Sequence, residues 1–308
     1  MRILYGTKDN NVDITKYCLE KLMQNNVITI PSGDVLRASM FSDPVFGSLK
    51  NIYIGLELEN KVMEYPYYQV IKIDFNESSI SVYNDRRILN HTDIYKVILY
   101  IHNKLQLEHG IFTHELPEQM MAAKYLRGNE KVLEIGANIG RNSLIISYIL
   151  GENNKNMVCL ESDPKSAEQL RENRDTNGFS FHIENSALSM RKLIQKDWET
   201  IPSDTLLEGY AWVNTITYEE LIEKYGIVFD TLILDCEGAF YYILKDMEQV
   251  LDNVNLIIME NDYKEIEHKK YIDDVLLKKG FHREYVEAGG WGPSTPCGYE
   301  FYEVWERD

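Results

Sequence analysis

The chain has 308 residues, with Asp+Glu 49 against Lys+Arg 32, a net charge of −17 and a hydrophobic share of 44%. That length leaves one large domain or two unequal ones open, and the apolar share suffices for an ordinary core. An acidic field of this size repels phosphate backbones, so nucleic acid is not the expected partner.

No apolar run reaches the ~20 residues that span a bilayer. Met1–Thr7 turns polar too early for a secretory leader. Cys18, Cys159, Cys236 and Cys297 show neither a CxxC pair nor metal-site spacing, which fits a cytoplasmic, reducing location.

In chain order, residues 1–90 read as a small β-rich α+β module. Strand-like runs fall at Met1–Tyr5, Val27–Ile30, Asn51–Ile54, Tyr67–Phe75 and Ile80–Tyr83, with one helix over Thr15–Gln24. Turn-rich pieces such as Pro31-Ser32-Gly33-Asp34 separate them. Asp34, Arg37, Asp43 and Lys50 stand close in sequence to Phe41, Phe46 and Tyr53. Glycan docking or homodimer formation is one reading of this group, and a private core for the aromatics is the other.

Residues 91–308 change character. Helices are expected at Asp93–Leu107 and Pro117–Leu126, and then strands and helices alternate. The strands are Lys131–Ile135, Met157–Leu160, Phe181–Ile183, Thr231–Leu234 and Leu256–Met259, with Tyr299–Trp305 as an antiparallel edge. Helices lie between them at Asn142–Leu150, Ser166–Thr176, Tyr218–Tyr225, Ala239–Val250 and Lys264–Lys279. This alternation predicts an α/β fold, Rossmann-like and doubly wound, with a mostly parallel sheet covered on both faces.

The most informative stretch is Val132-Leu133-Glu134-Ile135-Gly136-Ala137-Asn138-Ile139-Gly140, a buried strand running into a glycine turn and a helix N-terminus. Such a turn lets backbone amides approach a ligand, and Gly136 and Gly140 leave room where a Cβ would collide with it. Glu134 is placed to reach the charged end of a cofactor or to order the loop. The next strand ends in Glu161-Ser162-Asp163-Pro164, where a carboxylate can accept both ribose hydroxyls of an adenosyl group. The glycines read G-x-x-x-G rather than G-x-G-x-x-G, which favours S-adenosylmethionine over a nicotinamide dinucleotide.

These residues resemble the FkbM family of methyltransferases over roughly residues 110–305. The resemblance rests on Glu134 to Gly140, the helix before it, and Glu161 with Pro164. It continues through Asn173, Asn177, Ser186-Ala187-Leu188-Ser189, Asp230, Asp235-Cys236-Glu237-Gly238 and Gly280-Phe281. It implies a class I methyltransferase domain that moves a methyl group from S-adenosylmethionine to oxygen, typically of a sugar or glycan. On that basis the cofactor residues are Glu134, Gly136, Ala137, Asn138, Gly140, Glu161, Ser162, Ala187 and Asp235. Two departures stand out: Ile233 where the family commonly has Lys, and Phe240 where it tends to have Glu.

A sugar hydroxyl is a weak nucleophile, so a base or a metal beside the methyl group is expected. Asp235 and Glu237, at the end of a strand, are the candidate bases. Asp235, Glu260 and Asn261 together would make an oxygen-rich site for Mg²⁺ or Mn²⁺, or would simply order the loops. His114 and His282 are candidates to border the pocket. Ala288-Gly289-Gly290-Trp291-Gly292-Pro293-Ser294-Thr295-Pro296 reads either as a lid with a stacking Trp291 or as an edge hairpin. The other function classes are a dinucleotide oxidoreductase and a non-catalytic binding protein on the same scaffold.

Overall fold

The computed structural model describes residues 1–56, 61–197, 199–263, 265–289 and 298–307. Backbone contacts divide it into two units, Met1–Ile94 and Tyr95–Asp308.

The first unit holds β1 (Arg2–Gly6), β2 (Asn11–Asp13), α1 (Thr15–Tyr17), β3 (Met23–Gln24), β4 (Val27–Ile30), α2 (Asp34–Phe41), β5 (Asn51–Leu56), β6 (Lys61–Tyr65), β7 (Gln69–Asp74) and β8 (Ser79–Asn84). Two antiparallel sheets result, β2-β1-β5-β6 and β3-β4-β7-β8. Paired isoleucines, Ile3 with Ile54 and Ile28 with Ile73, lie in register and are buried in one core. Period-two alternation turns these side chains to one face of each sheet.

The expected helix over Thr15–Gln24 is broken. Cys18–Leu22 is a wider helical turn that buries Cys18, and Met23–Gln24 pairs with β4. Asn25 and Asn26 carry φ of 51° and 63° between the two strands, a hairpin turn that asparagine tolerates. The stretch read as turn-rich at Pro31–Asp34 is instead the entry to α2, which buries Arg37 and Phe41 one turn apart.

Arg37 is fully buried and donates to the carbonyls of Pro31 (2.8 Å), Pro66 (3.4 Å) and Gln69 (2.6 Å). Lys50 is buried between Asp34 and Asp43, 3.1 Å from each. The polar group of the front module is therefore internal scaffolding, because a buried charge must find partners. Phe41 and Tyr53 are also buried, whereas Phe46 is 95% exposed.

After α3 (His91–His102) and α4 (Leu116–Tyr125), the second unit runs β9 (Val132–Ile135), α5 (Arg141–Leu150), β10 (Met157–Leu160), α6 (Pro164–Thr176) and β11 (His182–Glu184). It continues with β12 (Ala187–Leu188), β13 (Leu193–Lys196), β14 (Glu199–Pro202), β15 (Ala211–Val213), β16 (Thr215–Ile216), α7 (Tyr218–Tyr225), β17 (Thr231–Asp235), α8 (Ala239–Asp246), β18 (Leu256–Glu260), α9 (Ile266–Lys278), β19 (His282–Glu287) and β20 (Tyr302–Glu306). The main sheet has the order β11-β10-β9-β17-β18-β20-β19. The first five are parallel, and β20 runs antiparallel to both its neighbours. This is the expected Rossmann-like, doubly wound α/β domain.

Each central strand feeds two cores. Leu133, Leu232, Leu234, Ile257 and Met259 pack with α7, α8 and α9. Val132, Ile233, Ile258 and Cys159 pack with α4, α5 and α6. Such near-continuous apolar strands are what a sheet covered on both faces requires. Glu134 has the parity of Val132 and faces α5, not the strand ends.

Helix ends follow local chemistry. Asp163 caps α6 by accepting from Ser166 N–H (2.7 Å), and Pro164 follows at the first turn. Thr217 and Glu220 form a reciprocal cap on α7, and Gly226 ends it with φ 66°. The helix expected over Ala239–Val250 stops at Asp246 and resumes as a tighter turn, Glu248–Leu251. Strands β12 to β16 between β11 and α7 were not foreseen, since two-to-four-residue strands leave little periodicity to read.

Candidate functional site

The strand order reverses between β9 and β17, and open α/β sheets place ligands outside the carboxyl ends of strands at that point. A cavity of about 510 Å³ lies there, lined by Gly136, Asn138, Glu161, Ser162, Ala187 and Asp235 among others. Its far wall includes Gln195, Thr200 and Pro202 from β13 and β14, with Tyr242 from α8.

Glu161 organises the near wall. It is 8% exposed, and its two oxygens accept from Asn138 N–H and Asp163 N–H, each at 2.7 Å. The amides of Gly136 and Ala137 both donate to the Leu160 carbonyl at 3.0 Å, closing the bend after β9 onto the end of β10. Burial raises the Glu161 carboxyl, while the amides pull it back down. A carboxylate offers about four acceptor positions, so two remain for hydroxyls of a ligand.

Several predicted residues stand elsewhere, or for a different reason. Gly136 lines the cavity, but a Cβ there would come 1.6 Å from the Asp235 carbonyl oxygen, and its φ is +87°. The glycine is demanded by the neighbouring strand. At Gly140 a Cβ would meet Leu170 Cδ1 at 2.3 Å, so that residue admits a helix, and it does not line the cavity. Ala137 and Glu134 line a second, smaller cavity instead. Glu134 is 3% exposed and accepts from Ser143 Oγ at 2.5 Å; burial pushes its carboxyl up to about 7. Glu134 thus contacts α5 and lines the small cavity, not the large one.

Asp235, Cys236, Glu237 and Gly238 line the large cavity together. Glu237 is exposed and held at φ 51°. Asp235 also lines the small cavity, with Glu260. Burial first, then the charges of Glu115, Glu118, Glu237 and Asp262, hold the Asp235 carboxyl well above the usual range. Glu260 is pushed up to about 12 by burial, a hydrogen bond with Glu118, and the charge of Asp235.

The carboxylates that converge are Asp235, Glu260 and Asp262, whose oxygens come within 4.8 Å of one another. Asn261 was expected in that group. It is 3% exposed, its N–H donates to the Phe301 carbonyl, and the atom it leaves unpartnered is its Nδ2, a donor that would repel a cation. Two of the three residues expected there, Asp235 and Glu260, thus converge, with Asp262 beside them.

The remaining candidates fall away from the cavities. His114 and His282 are exposed and line neither of them. His268 stacks on Tyr241 and His102 on Phe112. Asn173 accepts from Glu108 and His109 N–H and donates to the Ile139 carbonyl, and Asn177 holds Gln106. They tie the segment before α4 to the cofactor-side loop. Trp291, with residues 290–296 of the expected lid, lies outside the described residues.

The sequence reading missed Glu115 and Glu118. They stand three residues apart at the entry of α4, a spacing that places both on one helix face. Arg141 pairs with Glu115 at 2.5 Å.

No family model and no curated protein matches this chain. Among solved structures, it is similar to a ribosomal protein L11 methylase from Lactobacillus delbrueckii subsp. bulgaricus. Identity is 11%, over 66% of this chain and 84% of that one, with a TM-score of 0.41. An O-methyltransferase from Bacillus cereus in complex with SAH matches at 12% identity over 72% and 93%, TM-score 0.38. Aeropyrum pernix fibrillarin with natively bound S-adenosyl-L-methionine matches at 12% over 78% and 94%, TM-score 0.37.

Proposed function

We propose that this chain is an S-adenosylmethionine-dependent methyltransferase acting on a hydroxyl of a sugar or glycan. The observation that carries the reading is Glu161, a buried carboxylate at the tip of β10 that shares a cavity wall with Gly136 and Asn138. An adenosine would rest its ribose on Glu161 and its base against Ser162 and Ala187. The strand order supports the reading: an antiparallel β20 between β18 and β19 departs from the 3-2-1-4-5-6 order of dinucleotide folds. The motif resemblance to FkbM enzymes points the same way.

S-adenosylmethionine would supply an activated methyl group to which an acceptor oxygen bonds in line, the electron pair of the broken carbon–sulfur bond returning to sulfur. The hydroxyl proton must leave as that bond forms, and Asp235 is the carboxylate at the edge of both cavities. Burial and the neighbouring carboxyls raise its carboxyl, so it acts as the base in its ionised form. Glu237, exposed at the mouth, is the second candidate for contact with the acceptor. Alignment and exclusion of water supply the rest of the acceleration.

Calorimetric titration of the full chain with S-adenosylhomocysteine and with NAD tests the reading. Binding of the first and not the second is expected, with loss of affinity in Glu161→Ala. Binding of NAD alone, or of neither, overturns it.

A further inference from the structure

Asn173, in α6, is fully buried. An asparagine side chain offers two acceptor positions and two donors, and here all four are used within the protein. Its Oδ1 accepts from the N–H of Glu108 at 2.8 Å and of His109 at 3.0 Å. Its Nδ2 donates to the carbonyls of His109 at 3.2 Å and Ile139 at 2.8 Å. Three of these bonds hold the segment before α4. The fourth reaches the glycine turn after β9.

That turn is gripped from two sides. Asn138 lines the large cavity with φ of 50°, a left-handed conformation that non-glycine residues seldom adopt. On the cavity side its N–H donates to Glu161 Oε2 at 2.7 Å, and on the far side the next carbonyl, that of Ile139, rests on Asn173. The segment before α4 packs on the same residue, since a Cβ on Gly110 would come 2.4 Å from Ile139 Cδ1. Asn173 itself lines neither cavity, so any influence on a ligand passes through the turn.

We infer that Asn173 is a positioning residue for the cofactor. By holding the Ile139 carbonyl it keeps the Asn138 amide on Glu161, and it couples docking of the segment before α4 to the shape of the cofactor wall. This rests on the S-adenosylmethionine reading above and adds to it a residue that does not touch the ligand. Asn177, one turn further along, is a natural comparison. Its Oδ1 accepts from Gln106 N–H at 2.9 Å, and its Nδ2 donates to the carbonyls of Gln106 and Asn173, each at 2.7 Å. It clasps the same segment but not the turn.

The test combines calorimetric titration of the full chain with S-adenosylhomocysteine and amide hydrogen exchange. Asn173→Asp keeps an acceptor for Glu108 and His109 but sets a second oxygen, without an N–H, against the Ile139 carbonyl. Affinity should fall about tenfold, and the Asn138 amide should exchange faster while those of Glu108 and His109 stay protected. Asn177→Ala should free the Gln106 amide and lower the melting midpoint, with affinity within about twofold of wild type. A merely structural role for Asn173 gives another pattern, in which both variants melt earlier and neither loses affinity.

Wild-type affinity in Asn173→Asp, or an equal loss in Asn177→Ala, overturns the inference. Should Asn173→Asp fail to fold, the wild-type chain decides. Coupling is reciprocal, so saturating S-adenosylhomocysteine should slow exchange at Glu108 and His109 about tenfold more than at Gln106. Equal slowing at all three overturns the inference. Failure of the wild-type chain to bind S-adenosylhomocysteine removes the cofactor reading and this role with it. Normal binding that Asn173→Asp leaves unchanged removes only the role of Asn173.

Discussion

The two cavities at the strand ends meet at Gly136 and Asp235 but are built on opposite principles. The large one is bordered by loop amides folded onto Leu160 and Glu161, by short strands of the β12–β16 insertion, and by residues such as Lys165, Arg191 and Tyr242. Its single organising carboxylate is satisfied by two N–H donors. The small one is lined by side chains from the entry of α4 and from α5, β9, β17 and β18, and its burial raises the carboxyls of Asp235 and Glu260. The first keeps its buried carboxylate paired with two amides, whereas the second brings several carboxyls together.

The largest effect that would break this comparison is on chemistry. Asp235→Asn should lower kcat by about 10²–10⁴, the range for removing a general base, with S-adenosylhomocysteine affinity changed only a few-fold. Comparable loss in both would make Asp235 part of the cofactor wall alone.

Next comes Glu161→Ala. Two charge-assisted hydrogen bonds to a ribose, and the seat of the Asn138 amide, should together lower cofactor affinity about 100-fold by calorimetry. An unchanged Kd would take adenosine out of the large cavity.

A third variant bears on the small cavity without ligand. Glu134 holds its proton to about pH 7 in the fold, against 4.5 as its ordinary value. Between those values the folded chain binds more protons than the unfolded one, so stability falls as pH rises through the window and is lowest above it. Glu134→Gln removes that loss, and its melting midpoint should exceed wild type at pH 8 by several degrees more than at pH 5. A constant difference across this range would show that Glu134 is ionised at no cost.

The smallest effect is a control remote from both walls. Thr217→Ala deletes the reciprocal cap of α7 and should cost about 1 kcal/mol in urea unfolding. Cofactor affinity should stay unchanged.

Local rules made much of the second unit legible in the amino-acid order. Apolar runs four to five residues long between amphipathic segments, proline at position 164, glycine at 226 and the glycines after Ile135 each impose a local conformation. From these follow the alternating elements, the parallel sheet, and the meeting of Glu161 with the β9 turn. Other features depended on contacts between residues distant in the chain. Glu134 is two residues from Gly136 yet faces α5, because side chains alternate along a strand and the helix packed on that face supplies Ser143. Gly136 is a glycine because of the Asp235 carbonyl, 99 positions later, and Gly140 because of Leu170. The small cavity has no motif at all: Glu118, Asn142, Asp235 and Glu260 come from four elements. Burial and mutual repulsion, which raise the carboxyls of Asp235 and Glu260, exist only once the sheet and its covering helices have closed.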